Sequence, residues 1–202
     1  MVSSTLPSLY ADSGLSSYLN QIKLFPVLTL DQEFMLAERY TKYNDKEAAH
    51  ELVTSHLRLV AKIALRYRGY GLPVSDLISE GNIGLMKAVK KFQPELGFRL
   101  STYAMWWIKA SVTEYVLKSW SMVKMGTMAA QKKLFFSLRK AKEKLNLINS
   151  NDIDFESAKV LSEQFNLSEQ DIVNMNSRMT IRDQSLNMPV NRDGDGSIEM
   201  QD

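Results

Sequence analysis

Apolar residues recur at three- and four-residue spacing along nearly the whole chain, and alternating β-branched stretches are scarce, so the pattern predicts an all-α protein. In "GLSSYLNQIKLFPVLTLDQEFMLAERYTKYND", Leu15, Tyr18, Leu19 and Ile22 fall on one face of a short helix that Pro26 ends. Thr29 then caps a second helix whose acidic first turn suits its positive end. A longer helix follows, with Leu52, Val53, Leu57, Val60, Ile63 and Ala64 as its apolar stripe and Gly69 and Gly71 as its stop. "LPVSDLISEGNIGLMKAVKKF" predicts a fourth, capped at Ser75 with Asp76 in the first turn, and "QPELG" a turn into "STYAMWWIKASV".

Beyond Trp120 the texture changes. "TMAAQKKLFFSLRKAKEKLNL" predicts a basic amphipathic helix, and "DFESAKVLSEQFNLSEQDIVNMNSRM" two acidic helices split at Asn166 and Leu167. Ser168 caps the second of these, with Asp171 at its third position. "NMPVNRDGDGSIEMQD" is acidic, contains Pro189, Gly194 and Gly196, and has no period. The expected organisation is a disordered N-terminus over 1–12, a multi-helix domain over 13–120, a three-helix domain over 121–182 and an extended acidic tail over 183–202.

Charge sharpens this division. Between Lys87 and Lys144 there are 13 Lys and Arg against 3 Asp and Glu, whereas residues 1–86 are near neutral and residues 145–202 strongly acidic. A basic middle is the footprint of a polyanion-binding surface, or else a set of solvated lysines. The absence of cysteine excludes disulfides and thiolate chemistry and suits a reducing cytoplasm. His50 and His56 do not share a helix face, so no metal site is expected. "NRDGDGSIE" resembles part of a calcium loop, but its glutamate comes too early. No phosphate-cradling loop, paired-carboxylate site or cofactor motif is present, which argues against an enzyme. The N-terminal stretch lacks a basic start and an apolar run, and no apolar stretch reaches bilayer length, so a soluble, unsecreted, cytoplasmic protein without membrane contact is expected.

Two features carry candidate chemistry. Gly81 and Gly84 share one helix face, at a cost of roughly 1 kcal/mol each relative to alanine. That face serves either internal packing or a docking partner helix, with Leu77, Leu85 and Met86 as anchors and Asp76, Glu80 and Asn82 as polar pins. In the aromatic stretch, Tyr103, Trp106, Trp107 and Ala110 occupy one face, while Met105, Ile108 and Val112 occupy a second that is apolar enough for the core. The rings then either fill a crevice or point outward, where Arg99, Lys109 and Lys118 could lead a phosphate backbone across them.

Taken in order, "SHLRLVAKIALRYRGYGLPVSDLISEGNIGLMKAVKKF", "GFRLSTYAMWWIKASVTEYV" and "QKKLFFSLRKAK" closely resemble bacterial transcription-initiation sigma factors of the primary-like (sigma-70) superfamily, heat-shock subgroup. The resemblance covers about residues 13–182 and implies a region 2 domain followed by a three-helix region 3 domain. By it, Asp76, Leu77, Ile78, Glu80, Asn82, Leu85 and Met86 contact a coiled coil of the largest core RNA polymerase subunits. It further implies that Tyr103 stacks where a flipped minus-ten adenine leaves the duplex, that Phe92 helps wall the pocket, and that Trp106 and Trp107 wedge at the upstream fork. Arg99, Thr102 and Lys109 would hold phosphates or base edges of the melted non-template strand. Gln131 to Phe136 and Arg139, with Lys124 just before, would serve upstream duplex and further polymerase binding: Gln131 and Lys132 for both, Lys133, Leu134, Phe135, Phe136 and Arg139 for polymerase. Chaperones and regulatory proteases join the partners that the resemblance implies.

The chain departs from the family pattern at several positions. Where housekeeping members read the upstream base pair with Gln and Thr, this chain has Ala110 and Thr113, so a different promoter consensus is expected. Pocket positions that are often acidic and basic are Gln93 and Leu96, and the usual Asn of the subgroup box is Ser137. The stretch "SAKVLSEQFNLSEQDIV" looks like a helix-turn-helix, yet Glu169 and Asp171 in its second helix repel phosphate, which favours a structural role. Family members continue past the equivalent of Asp202 into a minus-thirty-five-binding domain, so that element is expected to go unread. The alternatives are a helical adaptor or competitor that occupies polymerase without opening DNA, and a non-transcriptional nucleic-acid-binding module.

Overall fold

The computed structural model describes residues 14–122, 129–144, 159–163, 167–180, 183 and 185–187, and among these every regular element is a helix. The chain divides into two units, Met1–Trp120 and Ser121–Asp202.

In the first unit, α1 (Gly14–Gln21) buries Tyr18 and, just past its end, Ile22, while Leu15 and Leu19 are only half-buried. Thr29 opens α2 (Leu30–Tyr43) with a reciprocal cap: its hydroxyl accepts from the Gln32 N–H while the Gln32 side chain accepts from the Thr29 N–H at 3.0 Å. Asn44 ends α2 in the left-handed conformation, and Asp45 caps α3 (Lys46–Ala64) by accepting from the Glu47 N–H at 2.9 Å. That bond, with help from the Arg39 guanidinium, holds the Asp45 carboxyl below its ordinary pKa. Of the stripe expected on α3, Leu52, Leu57, Val60, Ile63 and Ala64 are buried and Val53 is half-buried. A 3-10 segment over Leu65–Tyr70 follows, and Gly71, at φ 80°, takes the left-handed turn that ends it.

Helix α4 (Val74–Lys91) starts earlier than expected. Pro73, not Ser75, is its N-cap, and the Ser75 hydroxyl inside the first turn donates to Asp76. Proline's fixed φ and missing N–H suit a helix start, and they displace the serine from the capping role. After a 3-10 turn at Pro94–Leu96 and a left-handed Gly97 comes α5 (Leu100–Ser119). Near the connection Phe92 meets Tyr103, midway Gly84 meets Trp107 and Ile108, and at the far end Asp76 meets Tyr115, so α4 and α5 run antiparallel. Leu77, Ile78, Leu85, Leu100, Ile108 and Val112 are fully buried in this unit. Each such side chain contributes roughly 1.5 to 3 kcal/mol, more than any surface ion pair here, so apolar burial holds the unit together.

The glycine face of α4 lies inside this packing. A Cβ on Gly81 would come within 2.6 Å of Val60 Cγ1, and one on Gly84 within 2.7 Å of the Trp107 carbonyl oxygen. The two glycines let α3 and α5 approach α4, which corrects the alternative that a partner docks on them.

In the second unit, α6 (Ala129–Lys144), the helical residues 159–163 and α7 (Glu169–Thr180) bury Leu134, Phe135, Leu138, Leu161, Ile172 and Met175. At the start of α7 the Ser168 hydroxyl accepts from the Asp171 N–H at 3.1 Å and donates to its carboxylate at 2.7 Å. Ser121 and the Met122 N–H both donate to the Asp183 carboxylate. The expected N-terminal disorder, Lys124, the Arg139 side chain, the calcium-like stretch and most of the acidic tail lie outside the described residues.

Candidate nucleic-acid interface

Helix α5 divides sharply into faces. Leu100, Ala104, Ile108, Ser111, Val112 and Val116 are buried, and Thr102, Trp106 and Ala110 are exposed. Met105, expected in the core with Ile108 and Val112, is only half-buried. Tyr103 and Trp107 lie between core and solvent, whereas Trp106 is 73% exposed.

The rings form a graded series. Tyr103 lies 6.0 Å from Phe92 and 6.3 Å from Trp107, the second pair edge to face. Lys91 Nζ sits 4.7 Å above the Trp107 ring and Lys109 Nζ 5.8 Å from that of Trp106, so cations already lie against both indoles. Beside Tyr103 is an open pocket of about 460 Å³ lined by Lys91, Phe92, Gln93, Leu96, Phe98 and Tyr103. This volume falls in the range that holds small planar ligands. Apolar and aromatic walls with one ammonium suit a base next to its phosphate. Phe92 is buried at the back, while Phe98 is 69% exposed.

Phe98 and Lys91 escaped the sequence reading. An aromatic residue just after a turn glycine, and a lysine in the last turn before a loop, were the signals available for them. Arg99, expected at phosphates or base edges, points inward. Its Nε and a terminal nitrogen donate to Glu33 at 3.0 and 2.9 Å, and it also donates to the Leu28 carbonyl at 3.3 Å. Thr113 donates to the Lys109 carbonyl one turn back.

Of the residues expected to meet polymerase, the structure brings only some to the surface. Leu77, Ile78 and Leu85 are wholly buried in the α4–α5 core, and Leu134 and Phe135 in the second unit. Asp76 accepts from Tyr115 and Ser75, and Asn82 donates to the Tyr18 hydroxyl. Burial, with the Asp76 carboxylate next in weight, pushes the Tyr115 phenol up, so it remains a donor. Burial raises Tyr18 too. Glu80 is half-buried, and Met86 and the previously unremarked Ile83 are exposed, which leaves a mixed acidic and apolar strip along α4. On α6, Lys132 and Lys133 are exposed, Gln131 is half-buried, and half-buried Phe136 lies edge-on to Phe135 at 5.1 Å.

Among the described residues no group of three or more metal-ligating side chains gathers, and no helix is long and apolar enough to cross a membrane.

Residues 52–122, from α3 through α5, match the family described as Sigma-70 region 2. The pocket and the aromatic face lie within that match. Over all 202 residues the chain is 54% identical to RNA polymerase sigma factor RpoH of Caulobacter vibrioides, spanning 68% of that protein. Over 195 residues, 96% of this chain, it is 56% identical to RpoH of Zymomonas mobilis, covering 65% of it. It is 44% identical over 190 residues, 94% of this chain, to the RNA polymerase sigma-C factor of Myxococcus xanthus, covering 64% of it. The chain belongs to the RpoH family of RNA polymerase sigma factors.

Proposed function

We propose that this sigma factor of the heat-shock type divides its work between two faces of the α4–α5 pair: one docks on core RNA polymerase, the other captures the melted non-template strand at the promoter minus-ten region. The observation that carries this is the pocket of about 460 Å³ opening beside Tyr103 and Phe92, continuous along α5 with Trp107 and the exposed Trp106. Flipping a base out of a duplex costs a few kcal/mol, and stacking on an aromatic ring returns roughly 1 to 3 kcal/mol per base. Two or three rings therefore offset the cost, and only for bases whose edges suit the pocket. Melting and sequence recognition become one event. Lys91, Lys109 and Thr102 border this path. Gln93 and Leu96 at the pocket, and Ala110 on the exposed face, distinguish its base preference from that of housekeeping factors.

Polymerase docking belongs to the strip of Glu80, Ile83 and Met86, with a coiled coil of the largest subunit as the partner surface. The second unit, as region 3, adds Lys132 and Lys133 toward DNA or polymerase. The protein performs no catalysis of its own, and chaperones and regulatory proteases are further partners. Two measurements test this reading. A promoter with 2-aminopurine at the flipped adenine position should brighten when core polymerase and this protein are added together, and should not brighten with either alone; an unchanged signal with the complete mixture contradicts strand capture. Glu80→Lys places a cation on the docking strip and is expected to weaken core polymerase binding about tenfold, while the thermal transition stays within a few degrees. Titration of labelled core polymerase reads this, and unchanged affinity removes Glu80 from the interface.

A further inference from the structure

Helix α5 begins without a local cap, because Arg99 at its N-cap makes no capping hydrogen bond with its side chain. The cap comes from elsewhere in the sequence. Glu33, buried on α2, accepts a hydrogen bond from the Leu100 N–H at the first residue of α5, and its other oxygen takes the Arg99 guanidinium. His56 of α3 donates from Nδ1 to the Leu52 carbonyl at 2.8 Å, which leaves its Nε2 turned to the same carboxylate at 3.9 Å. Three helices thus meet at one buried carboxylate.

The placement bears on the pocket. Leu96 and Phe98, just before Arg99, form the loop wall, and Tyr103, one turn into α5, forms the helical wall. A second, smaller pocket of about 40 Å³ shares Phe92 and Phe98 with the first and is bordered also by Glu33, Phe34 and Arg99. Apolar packing there is incomplete, so it does not by itself fix where the 97–99 segment sits. A carboxylate that holds both the guanidinium and the helix N-terminus does, because each bond has direction and Glu33 itself is buried.

We infer that Glu33 is a positioning residue for strand capture: it sets the spacing between the loop wall and Tyr103, and so the width of the base pocket, without touching DNA. The inference rests on the proposed role of that pocket. Glu33→Gln keeps the shape and can still accept from Leu100, but loses the charge that orients Arg99.

The test uses the full chain assembled with core polymerase. The probe is a fluorescein-labelled single strand bearing the minus-ten sequence of a promoter that this holoenzyme transcribes, with a scrambled strand as control. Measured well below the thermal transition, Glu33→Gln is expected to weaken minus-ten strand binding about tenfold, with core polymerase affinity changed less than about twofold. In a Tyr103→Ala background the same substitution should change strand affinity less than about twofold, because the pocket wall it positions is already gone. Equal factors in both backgrounds would mean a general loss of fold and overturn the inference. So would parallel loss of polymerase and strand binding, or no loss at all. Failure of the unsubstituted protein to prefer the minus-ten strand over the scrambled one would instead remove the pocket's proposed role, and the inference with it.

Discussion

Replacing Trp106 and Trp107 together by alanine is expected to abolish promoter opening while core polymerase binding stays within about twofold of the unsubstituted protein. Trp106 stands 73% exposed, with the Lys109 ammonium beside its ring, so its removal costs the fold little. Trp107 is half-buried and loses its edge contact with Tyr103 and the Lys91 cation, a cost of about 1 kcal/mol. Against the promoter strand, two lost stacking surfaces are worth about 2 to 6 kcal/mol, at least thirtyfold in the opening equilibrium. Permanganate reactivity of minus-ten thymines measures opening, and a pull-down on core polymerase measures docking. If opening persists, the indoles are not the platform. If the thermal transition collapses along with opening, they are core.

The second large effect is structural. Gly84→Ala places a methyl group 2.7 Å from the Trp107 carbonyl oxygen and 3.0 Å from the Ile108 Cα, and backbone atoms cannot rotate away. Overpacking of this kind costs about 1 to 3 kcal/mol, and alanine's better helix propensity returns only about 1. The net cost is then up to about 2 kcal/mol, and since each kcal/mol moves the midpoint of a domain this size by several degrees, a fall of up to about 10 °C is expected. Gly81→Ala is the matched control: its closest neighbour, at 2.6 Å, is a side-chain methyl of Val60 rather than backbone, and its shift should be smaller. Because α4 pushes on the turn of α5 that holds Trp107, Gly84→Ala should weaken strand binding as well. Calorimetry on both variants decides the matter, and equal midpoints would contradict the close approach of α4 and α5.

Periodicity made the helices legible because each must hide one stripe, and Thr29 and Ser168 are caps that the sequence revealed, whereas the Asp45 cap of α3 went unread. Ser75 misled because a neighbouring proline was the better start. The aromatic face was legible from the spacing of Tyr103, Trp106 and Trp107, but the ranking of their exposure was not, since it depends on how far α4 overlaps α5. The same overlap explains why Leu77, Ile78 and Leu85, apolar and adjacent to plausible docking positions, are core residues. Arg99 shows the deepest limit. Its charge advertised a phosphate contact, and only the fold brings Glu33, from a helix far back in the sequence, against it. Motif order alone was specific enough to indicate the family, and the 54% identity over the full chain shows it.

The most direct test fixes the strand to the pocket itself. With the photocrosslinker benzoylphenylalanine in place of Phe98, an exposed pocket residue outside the buried core, the complete holoenzyme is irradiated on an open promoter and the crosslinked nucleotide is mapped. Crosslinks to the non-template strand within the minus-ten element, lost when Tyr103→Ala is introduced, are the expected result. Crosslinks only to duplex DNA or to the template strand, from a holoenzyme that still transcribes, would contradict the pocket's role.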